Sequence, residues 1–266
     1  MPEISALFKS VALPVMPEVG LALINTLDDD NTPVSRIHAL IAQDPTLTAK
    51  LLGLANSAAF GLPRQVATLD AALRLVGISK VRALALSACL HNAFSMPQGI
   101  DGAAFWQYAV RCAGYAQWLA EGVQEDRQRA WLTGLMLRLG ELIIGNAQPQ
   151  ALAIIEIQPC KPGERWERER AVTGFDECEV TAELARRWNF PSSIVRALSL
   201  ASDPLAGKPL VPLAGVLHLA GRLADLPSAD AEAIDGLPVP VMSALKLKYG
   251  WMKADFPDTA TFVSLS

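Results

Sequence analysis

Histidine is nearly missing from this chain of 266 residues, which has only His38, His91 and His218. Generating a metal-bound hydroxide takes at least three well-placed nitrogen or oxygen donors, so the scarcity weighs against metal-dependent hydrolysis. The cysteines, Cys89, Cys112, Cys160 and Cys178, stand far apart and form no Cys-x-x-Cys pair, which argues against a structural zinc site. Reduced thiols in a helical core are expected, with a cytoplasmic location. No run of Lys or Arg exceeds two residues and the formal net charge is −4. Without a broad basic face to meet a phosphate backbone, nucleic acid is an unlikely partner. The N-terminus lacks a basic segment followed by an apolar stretch and a small-residue cleavage site, so no export signal is read. The stretch Ala83 to Ile100 carries no formal charge, but Asn92, Ser95, Pro97, Gln98 and Gly99 fill its second half. It reads as a buried helix followed by a loop, and no membrane association is expected.

What is present is helix-forming. Hydrophobic residues make up 51% of the chain and aromatics 6%, with Ala and Leu dominant, and no stretch alternates as a strand would. Punctuation divides the helices. Thr32-Pro33 opens one that runs to about Gln43. Asp44 then caps the next, with Pro45 at its first position and its end near Asn56. Thr68 caps a short helix that stops at Gly77. The helix from Ile78 to about Phe94 is apolar nearly all round, which places it centrally. Met96 to Asp101 reads as a connection between lobes. Helices are then predicted over about 103–121, 126–144, 151–157, 166–172, 176–188, 191–201 and 211–225. Asn189 is expected in the left-handed conformation at the Trp188-Asn189-Phe190-Pro191 corner. Two helix-compatible pieces, 228–234 and 239–249, follow Pro227 before a loose end.

The helix Trp131-Leu132-Thr133-Gly134-Leu135-Met136-Leu137-Arg138-Leu139-Gly140-Glu141-Leu142 resembles the catalytic helix of the HD phosphohydrolases. In that family a Gly-Leu-Leu-His-Asp-Ile-Gly-Lys-Leu run presents an adjacent His-Asp pair to a divalent metal. Gly134 and Gly140 stand where the resemblance puts them, but the metal-binding pair has become Leu137-Arg138. Leucine has no lone pair to offer, and a guanidinium is a permanent cation that repels a metal ion. Two further blocks, Ile41 to Leu52 with Leu54 to Leu62, and Thr68 to Gly77, closely resemble those of the HDOD family, the HD-related output domains. The resemblance extends over roughly Leu13 to Asp225. It implies an all-α, two-lobed fold related to the HD helical bundle: an N-terminal lobe over 1–95, a degenerate HD-like lobe over 102–225, and a tail over 226–266 packing on the second lobe. It also implies a bacterial signalling role without hydrolysis, in which members often stand beside receiver or cyclic-nucleotide domains. No such domain is read in this chain, so its input is expected from elsewhere.

The second lobe departs from the family pattern. Glu177 holds a slot where Phe-Gly-Phe-x-His-Ala-Glu-Val-Gly proteins have histidine, Ala201-Ser202 matches a His-His pair, and Ala220-Gly221 replaces an Ala-Asp. No histidine of the chain falls on a ligand slot, so neither a metal nor a cofactor is expected. If the ancestral geometry persists, Arg138 lies at the vacated metal position and pairs with Glu177 or Glu141; the alternative is that it points to solvent. Asp44 and Pro45 read first as helix cap and helix start. Asn56 and Ser57 read as a turn-fixing pair, and with Arg64 on the following loop they are the candidates for partner recognition. The Lys161 to Arg170 run of both charge signs reads as a solvated helix face. Trp131, Trp166 and Trp188 read as packing residues, His91 and His218 as core histidines. The reading that follows is a regulatory protein acting through contacts with other signalling proteins, a partner favouring one lobe arrangement. The rivals are a nucleotide or metabolite sensor using Arg138 as phosphate anchor, and a metal-dependent phosphohydrolase. The tail after Pro227 either caps the second lobe or mediates self-association as a homodimer.

Overall fold

The computed structural model describes residues 4–27, 29, 32–56, 65–259 and 262. Ser57 and Arg64, two of the recognition candidates, lie outside them. Among the described residues every regular element is helical: α1 (Ile4–Leu7), α2 (Glu18–Ile24), α3 (Val34–Ala42), α4 (Pro45–Ala55), α5 (Leu69–Val76), α6 (Ile78–Ala93), α7 (Gly102–Val123) and α8 (Arg127–Met136). There follow α9 (Leu139–Ala147), α10 (Pro149–Ile155), α11 (Glu164–Thr173), α12 (Glu177–Arg187), α13 (Ser192–Ser199), α14 (Pro212–Ala224), a 3-10 turn (Ala231–Gly236), α15 (Val239–Ala244) and α16 (Tyr249–Ala254). None is long and apolar enough to cross a membrane.

Short polar side chains set the helix starts by taking up amides that no helical carbonyl can reach. Asp44 accepts from the Leu47 amide at 2.9 Å and Thr68 from Ala71 at 3.2 Å. Asp101 accepts from Ala103 and Ala104, and Asp126 from Arg129. Asp176 forms a reciprocal capping box with Glu179. The expected corner is present, with Asn189 at φ 57°.

α6 is the central element, as its nearly uniform apolar surface requires. It packs against α2, α4, α5 and α3 on one side and α8 on the other. One contiguous apolar core therefore runs from Leu7 to Met252 through both expected lobes. In the second half α7 lies against α8 and α14, and α12 bridges α9 and α13. Gly134 lets α8 approach α7: a Cβ there would lie 2.9 Å from the Cys112 carbonyl oxygen. The tail folds back over α7, where Trp251 lies against Gly122 and stacks on Trp118 at 5.3 Å between centroids.

Two expectations are corrected. The helix predicted over 126–144 is broken at Leu137-Arg138, where Arg138 leaves helical geometry (φ −97°, ψ 7°). Thr181 of α12 explains the break. Its hydroxyl accepts the Gly140 amide at 2.7 Å and turns its own proton toward the carbonyls of Glu177 (2.7 Å) and Leu137 (3.1 Å). A foreign hydroxyl thus replaces intrahelical partners. The tail's second piece, expected over 239–249, ends earlier: α15 stops at Ala244, Lys246 turns to φ 56°, and α16 begins only at Tyr249.

Candidate functional site

The place where the HD resemblance puts a metal is filled by charge from the protein itself. Arg138, at the junction of α8 and α9, is 13% exposed. Its Nε donates to Glu177 Oε1 at 3.3 Å, and its Nη2 donates to Asp225 Oδ1 at 2.6 Å. Glu141 Oε2 lies 3.9 Å from Nε, and the guanidinium carbon sits 3.3 Å over the Tyr108 ring. Arg138 therefore faces inward, toward both carboxylates weighed for it and toward Asp225, which the sequence pattern did not single out.

A second guanidinium completes the cluster. Arg165 of α11 places Nη2 3.0 Å from Glu141 Oε1, Nε 2.9 Å from Glu169 Oε1 and 3.4 Å from Glu177 Oε2, and Nη1 2.5 Å from Glu156 Oε1. The charged run 161–170 is thus not simply a solvated face: Arg165 and Glu169, one helical turn apart, are buried. Only burial distinguishes them from their exposed neighbours, so composition could not. Further donors fix the carboxylates. Trp166 Nε1 donates to Glu177 Oε1 at 3.0 Å, the Glu177 amide to Glu169 Oε2 at 2.7 Å, and the Gly163 amide to Asp225 Oδ2 at 2.9 Å. Glu177 Oε2 lies within ion-pair range of both arginines without an aligned hydrogen bond.

Electrostatically the cluster is acidic. Glu141, Glu169, Glu177 and Asp225 face Arg138 and Arg165 in a buried space. Burial opposes the charge on Arg138, yet Glu177, then Tyr108, Asp225 and Glu141, hold its pKa well above the ordinary value. Burial pushes the Glu141 carboxyl up to about 7 against the pull of Arg165 and Arg138. Burial, reinforced by the charge of Glu177, holds Glu169 well above the usual carboxylate range. Burial and the crowding of carboxylates thus oppose full ionisation of the cluster, with Glu141 and Glu169 both shifted upward.

These residues do not fit a divalent metal. An ion among the carboxylates would meet two permanent cations, and no imidazole reaches the cluster. His218 presents Nδ1 to the Ala201 carbonyl at 2.8 Å, and its ring lies 5.0 Å from Trp166. His91 stacks on Trp106 and His38 sits 3.6 Å from Asp70 near the surface. Leu137 is fully buried, and its side chain lies against Gly221, where the family's aspartate would stand. Ser202, in the place of a histidine, accepts from Arg170 Nη2 at 2.5 Å. An anion approaching Arg138 would have to displace Asp225 and Glu177.

The N-terminal candidates sit apart from this cluster. Asp44 and Pro45 start α4. Asn56 ends it, and its side chain clasps Val66 through both edges: Nδ2 donates to the carbonyl at 2.8 Å and Oδ1 accepts from the amide at 2.7 Å.

Comparison with known proteins agrees with this architecture. The family model for the HDOD domain matches residues 13–204. A protein of Treponema pallidum (strain Nichols) is 27% identical over 222 residues, 80% of this chain, and this match takes in 43% of the relative's length. A proposed phosphohydrolase from Shewanella amazonensis SB2B superposes with a TM-score of 0.77 at 26% identity, over 94% of this chain and 93% of its own. An HDOD domain protein from Geobacter sulfurreducens has the same fold, with a TM-score of 0.75 at 17% identity, over 96% of this chain and 88% of its own.

Proposed function

The chain belongs to the HDOD family, and on that footing we propose that it is a regulatory protein that works through contacts with other signalling proteins and performs no hydrolysis. The observation that carries this reading is the side chain of Arg138, held among Glu177, Asp225 and Glu141 where a catalytic cation would act. A guanidinium cannot lower the pKa of a bound water as a divalent ion does, and it keeps such an ion out. What the geometry provides instead is a rigid second half, with buried ion pairs tying α9, α11 and α12 to the end of α14. Such a body suits presentation of a surface. Asn56, and the Ser57 and Arg64 that the sequence put forward beside it, are the first residues to test for partner contact. A partner acting there or between the expected lobes would have to bind one arrangement better than another.

The test has two arms on the full chain. Purified protein is assayed against phosphomonoesters, phosphodiesters and cyclic dinucleotides with Mn or Mg supplied, and partners are captured from the native cell by crosslinking. The reading expects no metal-dependent turnover, and a captured signalling protein whose yield falls when Arg64 is changed to Glu. Turnover that requires the metal would favour the phosphohydrolase reading suggested by the Shewanella relative.

A further inference from the structure

The start of α8, the start of α13 and the segment leading into α14 line an open groove of about 690 Å³. Its cations are Arg129 of α8 and Arg196 of α13. Arg196 is exposed, and among the described residues its side chain enters no ion pair or hydrogen bond. Glu183 of α12, the helix packed on α13, is already taken by Arg186 and Arg187. The one carboxylate lining the groove is Glu125, whose pKa burial raises above the ordinary value against the pull of Arg129. Positive charge therefore outweighs negative here, in a chain whose formal net charge is −4.

Another wall is apolar. It is the segment 209–213, in which Leu210 and Val211 are half-buried and Val211 is extended. Among the described residues neither amide of this pair finds a backbone acceptor, so main-chain donors stay free for water or a partner. Among the described residues no aromatic ring lines the groove, which leaves a nucleobase nothing to stack on. Ser192 and Ser193, the first two residues of α13, are exposed and add hydroxyls.

We propose that this groove docks an extended acidic segment of a partner protein, its carboxylates on Arg129 and Arg196 and its apolar side chains on Leu210 and Val211. Successive side chains of an extended segment point to opposite sides, so alternating acidic and apolar residues meet a cationic and an apolar wall at once. Docking here presupposes the partner-contact reading and adds to it a second surface, with a stated partner chemistry, besides Asn56, Ser57 and Arg64. Ion pairs at exposed arginines are individually weak and screened by salt, which gives the contact a readable signature.

The test is fluorescence anisotropy of a labelled peptide of alternating Asp and Val, titrated with full-length protein. Peptides with Lys or Asn in place of Asp are run beside it. The acidic peptide is expected to bind more tightly than the other two, and more weakly as salt is raised. Ser193→Glu puts a carboxylate on the groove wall at a helix start, where the backbone dipole favours it, so the variant is expected to keep the parent's melting temperature. That variant and Arg196→Glu are each expected to weaken the acidic peptide by at least about tenfold, near 1.4 kcal/mol. No binding, equal binding of the three peptides, or an affinity unchanged in either folded variant would each overturn the proposal. Metal-dependent turnover would overturn the regulatory reading and leave the peptide result as it stands, so the two fail separately.

Discussion

Gly140 shows how narrowly single residues are specified here. A Cβ at this position would strike the Glu177 carbonyl, so α9 and α12 touch backbone to backbone just where the acidic cluster begins. Gly140→Ala is expected to cost about 1–3 kcal/mol, checked by chemical denaturation, because neither helix can retreat without opening the ion pairs. Protons are specified as closely. Glu141 and Glu169 have raised carboxyl pKa values in the fold, so the native state holds more protons than the unfolded chain once pH exceeds about 4.5. The contribution of Glu141 is full below that value and is lost as pH rises through about 7, and that of Glu169 is lost in the same direction, at up to about 1.4 kcal/mol per pH unit for each proton outstanding. His218, lowered to about 4 by burial, runs the other way: its contribution is present above 6.5 and is lost as pH falls toward 4. Above about pH 7.5, where both lowered histidines, His91 and His218, are neutral in the folded and unfolded chain, the raised carboxyls dominate. Denaturation midpoints there should fall with pH in the parent and fall less steeply in Glu169→Gln; equal slopes would show that Glu169 has no raised pKa in the fold.

At the scale of elements, the break between α8 and α9 depends on one hydroxyl. Thr181→Val keeps the shape but leaves the Gly140 amide without an acceptor, and should destabilise by about 1–3 kcal/mol in a urea titration. Helix starts were legible because they are local: Asp44, Thr68, Asp126 and Asp176 each cap from within three residues of the amide they serve. The break was not legible, because Thr181 lies 41 residues beyond Gly140 and nothing near Leu137-Arg138 announces a stop. The same reasoning covers α11. Arg165 and Glu169 look like any surface pair of opposite charge one turn apart, and only the arrival of Glu141 and Glu177 from other helices buries them. Asp225 was missed for a similar reason: it lies just past the end of α14, where it reads as a helix end.

Across the whole molecule, the composition was enough for an all-helical fold, and the resemblance for its family, since uniform apolarity placed α6 at the centre. The identity of the cation was legible as well, because Arg138 stands in the sequence where a ligand pair belongs. The geometry around it needed the tertiary structure. A molecule whose second half is held by tethered guanidiniums should be indifferent to chelation. Its melting temperature with EDTA is expected to equal that with Mn or Mg, and a drop on chelation would reveal a structural ion. Truncating the cation is another matter. Arg138→Met leaves Asp225 without a partner charge and Glu177 with Arg165 alone, and is expected to cost about 3–5 kcal/mol, read in the same melting experiment. The most direct measurement combines metal content and turnover: protein isolated from its native cell is analysed for bound transition metals and magnesium, then assayed on phosphodiesters without added ions. The account predicts far less than one metal per chain and no turnover above background; one tightly held metal per chain with diester cleavage that disappears on its removal would contradict it.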